Sequence, residues 1–242
     1  MADIEIKRIQ RQEVRIHIVG TAPLVVSKFS EKAKEIMRGS QTGQKRLKQR
    51  RDPESDFAGA RHRIDGDSGW DGFPATGLKG AIVGGARFFN DKKLNMTLLK
   101  QSIFVLGDGK DMLIPILGPD GKPYGVGKNQ PEMHEGMVRN RTGVADFRFR
   151  PMYYPWSMKL SIIYMPDLMS LETLVALVDA GGFVGIGEWR PGSKESQTGS
   201  WGTFQVDDTQ EVELVKAPKG GEKNGSSSRT STPRRARHAA GK

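Results

Sequence analysis

The stretch from Thr76 to Phe89 limits the possible folds more than any other. Leu78, Ile82, Ala86 and Phe89 recur at helical spacing, so the segment reads as a helix with one apolar stripe. Gly77, Gly80, Gly84 and Gly85 lie in the same helix. Each costs about 1 kcal/mol against Ala in a helix interior. A helix so rich in glycine needs a reason: a close-packed neighbour or a ligand that approaches its backbone. Close packing against a sheet is the simpler expectation.

The remaining periodicities supply the neighbours. Residues 13–19 alternate Val14, Ile16 and Ile18 with Arg15 and His17, which predicts a strand with one buried face. Ser30 can cap a short helix through Arg38. Ile103–Leu106 and Leu113–Leu117 read as short apolar strands, and Trp156–Tyr164 as a longer one. Met137–Arg141 and Val144–Arg150 flank Thr142-Gly143 and predict a hairpin. Ser170 caps a second helix with a stripe of Leu171, Leu174, Val175 and Val178, closed by Gly181-Gly182. Gly202–Val206 is a last core strand, and Glu211–Val215 an edge strand. Residues 52–75 and 118–136 read as loop. With 30 Gly and 13 Pro in 242 residues, long connections are expected. The order of elements is β-α-β-β-α-β with long insertions. That predicts an α+β chain with a ferredoxin-like (RRM-like) core over residues 1–215.

Charge is unevenly placed. The formal total is +10. Residues 28–51 carry net +7, and residues 216–242 also carry net +7. The rest of the chain is acidic. The terminal stretch of Lys, Arg, Gly, Ser and Pro has almost nothing to bury, so it is expected to be a disordered basic tail. Two concentrated cationic segments suit a local grip on phosphates. The absence of cysteine excludes disulfide staples, thiol catalysis and Cys-ligated metal. His17, His62, His134 and His238 show no metal spacing, so no metal and no cofactor are expected. No apolar run reaches the roughly 18 residues of a membrane span. No secretory pattern opens the chain, and a cytoplasmic location is expected.

Two motifs carry candidate chemistry. Gly181 to Gly192 contains a Gly-x-Gly, but it follows a helix, whereas the dinucleotide fingerprint opens one. Its physical content is access: Gly185 and Gly187 would admit a second backbone and expose N–H groups, with Arg190 beside them. The other motif is the hairpin. Phe147 and Phe149 should face one way, and Arg148 and Arg150 the other. Arg139 and Arg141 precede them, and Tyr153 and Trp156 follow. Arginines beside aromatic platforms suit single strands, with stacking of about 1–3 kcal/mol per base.

Three features together resemble the RAMP superfamily, the repeat-associated proteins that form the backbone of CRISPR effector complexes. They are the helix opener Phe73-Pro74-Ala75-Thr76-Gly77-Leu78-Lys79-Gly80-Ala81, the strand and helix order, and the glycine-rich segment Gly181–Gly187 after the second helix. The segment Gly187-Glu188-Trp189-Arg190-Pro191 also looks like that of a phage protein, in which case the location would be the host cytoplasm. The resemblance implies a sequence-tolerant binder of single-stranded RNA or DNA that stacks as a homo-oligomer along the strand.

The expected contacts are Lys79, Arg139, Arg141, Arg148, Arg150 and Arg190, with Lys45, Arg46, Lys48, Arg50 and Arg51 in the basic insertion. Gly185 and Gly187 would permit close approach, and Trp70, Tyr153 and Trp156 are candidate stackers. No catalytic residue is expected, because the aspartate of some RAMP backbone subunits has no counterpart here. Two alternatives remain. One is a RAMP-type ribonuclease with His17 or His134 as general base. The other is an adaptor that assembles through strand edges and recruits an acidic partner with its tail.

Overall fold

The computed structural model describes residues 9–29, 31–42, 52–64, 66, 69–89, 94–139, 143, 145–193 and 198–215. The central sheet is antiparallel throughout. Strand β1 (Gln12–Gly20) pairs with β8 (Ser157–Tyr164) in a long register in which His17 faces Lys159. β4 (Phe104–Leu106) adds to the outer side of β8. β9 (Phe204–Val206) and β10 (Glu213–Val215) share the other side of β1, giving the order β10-β1-β8-β4 with β9 on β1. The alternation read in the sequence holds. Val14, Ile16 and Ile18 are buried, as are Met158, Leu160 and Ile162 opposite them, while Arg15 and Lys159 point to solvent.

Two helices cover the apolar face. They are α3 (Ala75–Gly85), continued by a single tight turn at Ala86–Phe88, and α5 (Leu171–Val184). Leu78 and Ile82 from α3 and Leu174, Leu177 and Val178 from α5 join the strand residues in one core. Burying such side chains contributes about 1.5–3 kcal/mol each. Ser170 caps α5 as the sequence predicts, its Oγ accepting from the Thr173 N–H at 3.2 Å.

Gly84 and Gly85 of α3 find their packing partner in α5, not in the sheet, while Gly77 meets the Phe73 ring. A Cβ on Gly85 would sit 2.8 Å from the Gly181 backbone N, and one on Gly181 would sit 3.1 Å from the Ala81 carbonyl carbon. The two backbones touch where the helices cross. This also explains why Gly181-Gly182 does not close the second helix. Both residues lie inside α5, which runs on to Val184 and ends at Gly185, where φ is +71°.

The remaining elements form two smaller sheets. β2 (Leu24–Val25), β7 (Ala145–Tyr153) and β6 (Glu132–Arg139) order as β2-β7-β6. The hairpin is therefore longer than the sequence suggests and starts within the stretch read as loop. β3 (Gly72–Pro74) pairs with β5 (Leu113–Pro115). Three helices complete the set: α1 (Glu31–Gln41), α2 (Pro53–Gly59) and α4 (Met96–Ser102).

Residues 52–75, read as loop, contain α2, a bridge between Arg63 and Asp71, and β3. Asp71 organises the segment. It is fully buried, takes a 2.7 Å bond from Arg61 Nη2, and has Arg63 Nε at 3.6 Å. The sequence shows these charges but not that they meet. No helix among the described residues is long and apolar enough to cross a membrane.

Candidate nucleic-acid interface

A cavity of about 680 Å³ opens beside α3, on the flank away from its buried stripe. Thr76, Gly80, Val83 and Arg87 recur there at a spacing of three or four, the period of one helix face. Its far wall is the segment Val184–Arg190, and α4 contributes Lys100. Among the described residues, Lys79, Arg87, Lys100 and Arg190 line the cavity, with Glu188 as the only carboxylate. Glu188 is already engaged, with its Oε2 3.3 Å from Arg150 Nη1. The cavity is therefore cationic even though the folded part of the chain is not.

The side chains are held in place. Lys79 Nζ lies 4.8 Å from the centroid of the Phe104 ring, which steadies the ammonium at the rim. Arg190 Nη1 donates to the Gly187 carbonyl at 2.6 Å, and Arg87 Nε to the Gly84 carbonyl at 2.9 Å. Each guanidinium has further N–H groups beyond that bond. His62 also lines the cavity. Burial, then Lys28, pushes its pKa down from 6.5 to about 4, so the ring is neutral at pH 7.

The glycine-rich segment works differently from the sequence expectation. Its N–H groups turn inward: Ile186 donates to Gly202, Glu188 to Val25, and Gly192 to Val184. Gly187, at φ +76°, has the Val25 carbonyl where a Cβ would be. The backbone that approaches these glycines is the chain's own. The segment ties α5, β2 and β9 together, and any grip on an anion comes from side chains.

The cavity gathers Lys79, Gly185, Gly187 and Arg190 out of the residues expected from sequence. Others are placed elsewhere. Tyr153 and Trp156 are 1% and 2% exposed, so neither ring has a face for a base. Tyr153 packs edge-on against Tyr124, and Trp156 Nε1 donates to the Ala22 carbonyl at 2.8 Å. Trp70 is half-buried beside Asp71 and does not line the cavity.

On the hairpin the β6–β7 register is continuous, so Phe147 and Phe149 share one face and Arg148 and Arg150 the other, but exposure does not follow that division. Arg150 is buried, while Phe147 is 54% exposed. The Arg150 guanidinium lies 5.3 Å from the Trp189 ring, over a cluster in which Trp189, Trp201 and His134 meet edge-to-face. Arg150 is thus a structural cation and not a free phosphate contact. Arg148 remains exposed, with its Nε 3.1 Å from Asp146. Arg139 ends β6. Arg141, Lys45, Arg46, Lys48, Arg50 and Arg51 lie outside the described residues, as does the tail from 216 to 242.

Sequence reasoning missed Arg87, Lys100 and His62. Arg87 was legible as a late member of the α3 face opposite Leu78 and Ile82. Lys100 and His62 carry no such signal, because only tertiary packing brings them in. Among the described residues, no three His, Asp or Glu converge as a metal set.

No family model and no curated protein matches the sequence. Among solved structures, the fold is similar to a chain of a Type III-B Cmr-beta complex solved by cryo-EM with bound cognate target RNA. The TM-score is 0.42 and the identity 11%, over 85% of this chain and 61% of that one. It is also similar to Cmr6 from Pyrococcus furiosus, with a TM-score of 0.32 and 12% identity over 83% of this chain and all of that one. This chain thus spans less than two thirds of the Cmr-beta chain.

Proposed function

We propose that this chain binds a single strand of RNA or DNA without sequence preference, seats its phosphates in the α3 cavity, and stacks with further copies along the strand. The observation that carries the reading is the convergence of Lys79, Arg87, Lys100 and Arg190 on one concave surface where, among the described residues, the only carboxylate is already paired. A row of cations beside a helix face with a bare Gly80 offers room for a sugar–phosphate backbone. A Cβ on Gly80 would meet nothing within 4 Å. We further propose that the core is ferredoxin-like and the chain RAMP-like. Supporting this, the strands taken in chain order β1, β4, β8, β9 lie in the spatial order fourth, first, third, second, all antiparallel.

The test is binding of a fluorescent single-stranded probe, as RNA and as DNA, over a range of salt. Each phosphate neutralised on a single strand contributes about 0.7 to the log–log salt slope. Lys79→Ala with Arg190→Ala is expected to weaken binding and to lower the slope by about 1.4. An unchanged slope in a folded double variant would remove the cavity from the interface, and no binding at low salt would remove the reading. The reading includes no catalytic step, so the probe should be recovered intact. Chelator-insensitive cleavage lost in His17→Ala or His134→Ala would replace it with the ribonuclease alternative.

A further inference from the structure

A second cavity, of about 930 Å³, lies on the opposite flank, between α5 and β9. Its floor is apolar, with Val175, Phe204, Val206 and Val212 among its residues. Among the described residues its charged lining is Glu172, Asp179 and Asp208, with no Lys, Arg or His. Asp179 Oδ1 accepts from the Val206 N–H at 3.0 Å, which holds that carboxylate at the groove wall. Phe183 stands at the edge, 69% exposed, with its ring 6.0 Å from that of Phe88. An acidic groove with an exposed aromatic ring is suited to a peptide of alternating cationic and small residues. Guanidinium groups pair with the carboxylates and stack on the ring.

The chain supplies such a peptide itself. Residues 216–242 hold eight Lys or Arg and one Glu, with Arg234-Arg235-Ala236-Arg237 the densest run. The tail leaves from Val215, whose β1 partner is Glu13, while the β9 wall of the groove pairs with β1 at Ile18–Gly20. About five residues of strand separate the two points, roughly 17 Å at about 3.3 Å per residue. A linker of Gly/Ser-rich composition spans about 5–6 Å times the square root of its length, so about ten residues suffice. Arg229 and the Arg234 run lie further along the chain than those ten residues, so chain length places them within reach of the groove. The other cavity is cationic and repels them.

We propose that the basic tail, residues 216–242, docks in the acidic groove between α5 and β9 of its own chain. Tethering keeps its local concentration high, so modest contacts are enough to hold it. The docking is electrostatic and salt-sensitive. A polyanion then competes with the groove for the same arginines.

The chain has no cysteine, so Ala236→Cys gives a unique site for a spin label. On the full-length, isotopically labelled protein at low salt, the amide signals of Val175, Ala176, Phe183 and Val206 should be selectively lost. They should return at high salt, and in the variant carrying Glu172→Gln, Asp179→Asn and Asp208→Asn. The salt response of the otherwise unaltered groove tests the proposal even if that variant folds poorly. Uniform broadening, or none, would overturn it. Broadening that appears only when spin-labelled chains are mixed with separate isotope-labelled chains would also overturn it, assigning the groove to the tail of a second copy.

Discussion

His62 ties the cavity to pH. Burial, with Lys28 adding to it, lowers its pKa from 6.5 to about 4, against the weaker pull of Asp111 and Asp71. The unfolded chain therefore binds the proton more readily. Stability is complete above pH 6.5 and is lost as pH falls from there through about 4. The loss should reach about 1–3 kcal/mol, reduced by solvent at the edge of the ring. Urea denaturation across that window should show it, and His62→Gln should flatten the slope. A profile unchanged by the substitution would mean the ring is solvated. Arg150 and Arg148 separate in the same way by position. Removing the buried partner of Glu188 in Arg150→Ala should cost about 1–3 kcal/mol, since the Glu188 left behind is partly solvated, and leave the salt slope for strand binding unchanged. Arg148→Ala should leave stability within about 0.5 kcal/mol. A salt slope that falls in Arg150→Ala but not in Arg148→Ala would reverse the assignment.

At the scale of elements, the crossing of α3 and α5 decides where the cavity forms. Leu78 and Ile82 face the sheet, Gly85 meets Gly181, and the remaining flank of α3 is left to Thr76, Gly80 and Arg87. The glycines of one helix are thus not equivalent. Gly85→Ala would drive a methyl to 2.8 Å from the Gly181 backbone, and such overpacking costs about 1–3 kcal/mol. Gly80→Ala meets nothing within 4 Å and should gain up to about 1 kcal/mol of helix propensity. Opposite signs in thermal melts are the expected result. Equal losses would show that Gly80 is packed and that the cavity wall is misplaced.

At the scale of the molecule, charge is divided. The α3 flank presents cations and the α5 flank presents Glu172, Asp179 and Asp208. A strand seated on the first flank leaves the second available to the tail. Light scattering on the same probe samples extends the binding test. Particle size that grows with probe length is expected if copies stack, and a constant size with saturable binding would leave a monomeric binder. The α+β class was legible in the sequence, because periods of two and of three to four are local consequences of one buried face. Ser170 as a helix cap was legible for the same reason.

The site was legible only in part. Lys79, Gly185, Gly187 and Arg190 stood out by local spacing, yet nothing local placed them around one cavity with Lys100 and His62. Arg150, Tyr153 and Trp156 misled because composition reports what a side chain could contact and not whether it is buried. The buried Arg61–Asp71 pair and the Arg150–Glu188 pair were invisible for the same reason. The amino-acid sequence alone determined the longer core strands and the two core helices, which of their faces are apolar and where the cations lie along the chain. The tertiary structure alone decided which cations meet, which glycines touch a backbone and which are bare. Those outcomes depend on residues about a hundred positions apart being brought into contact, and no local pattern encodes that.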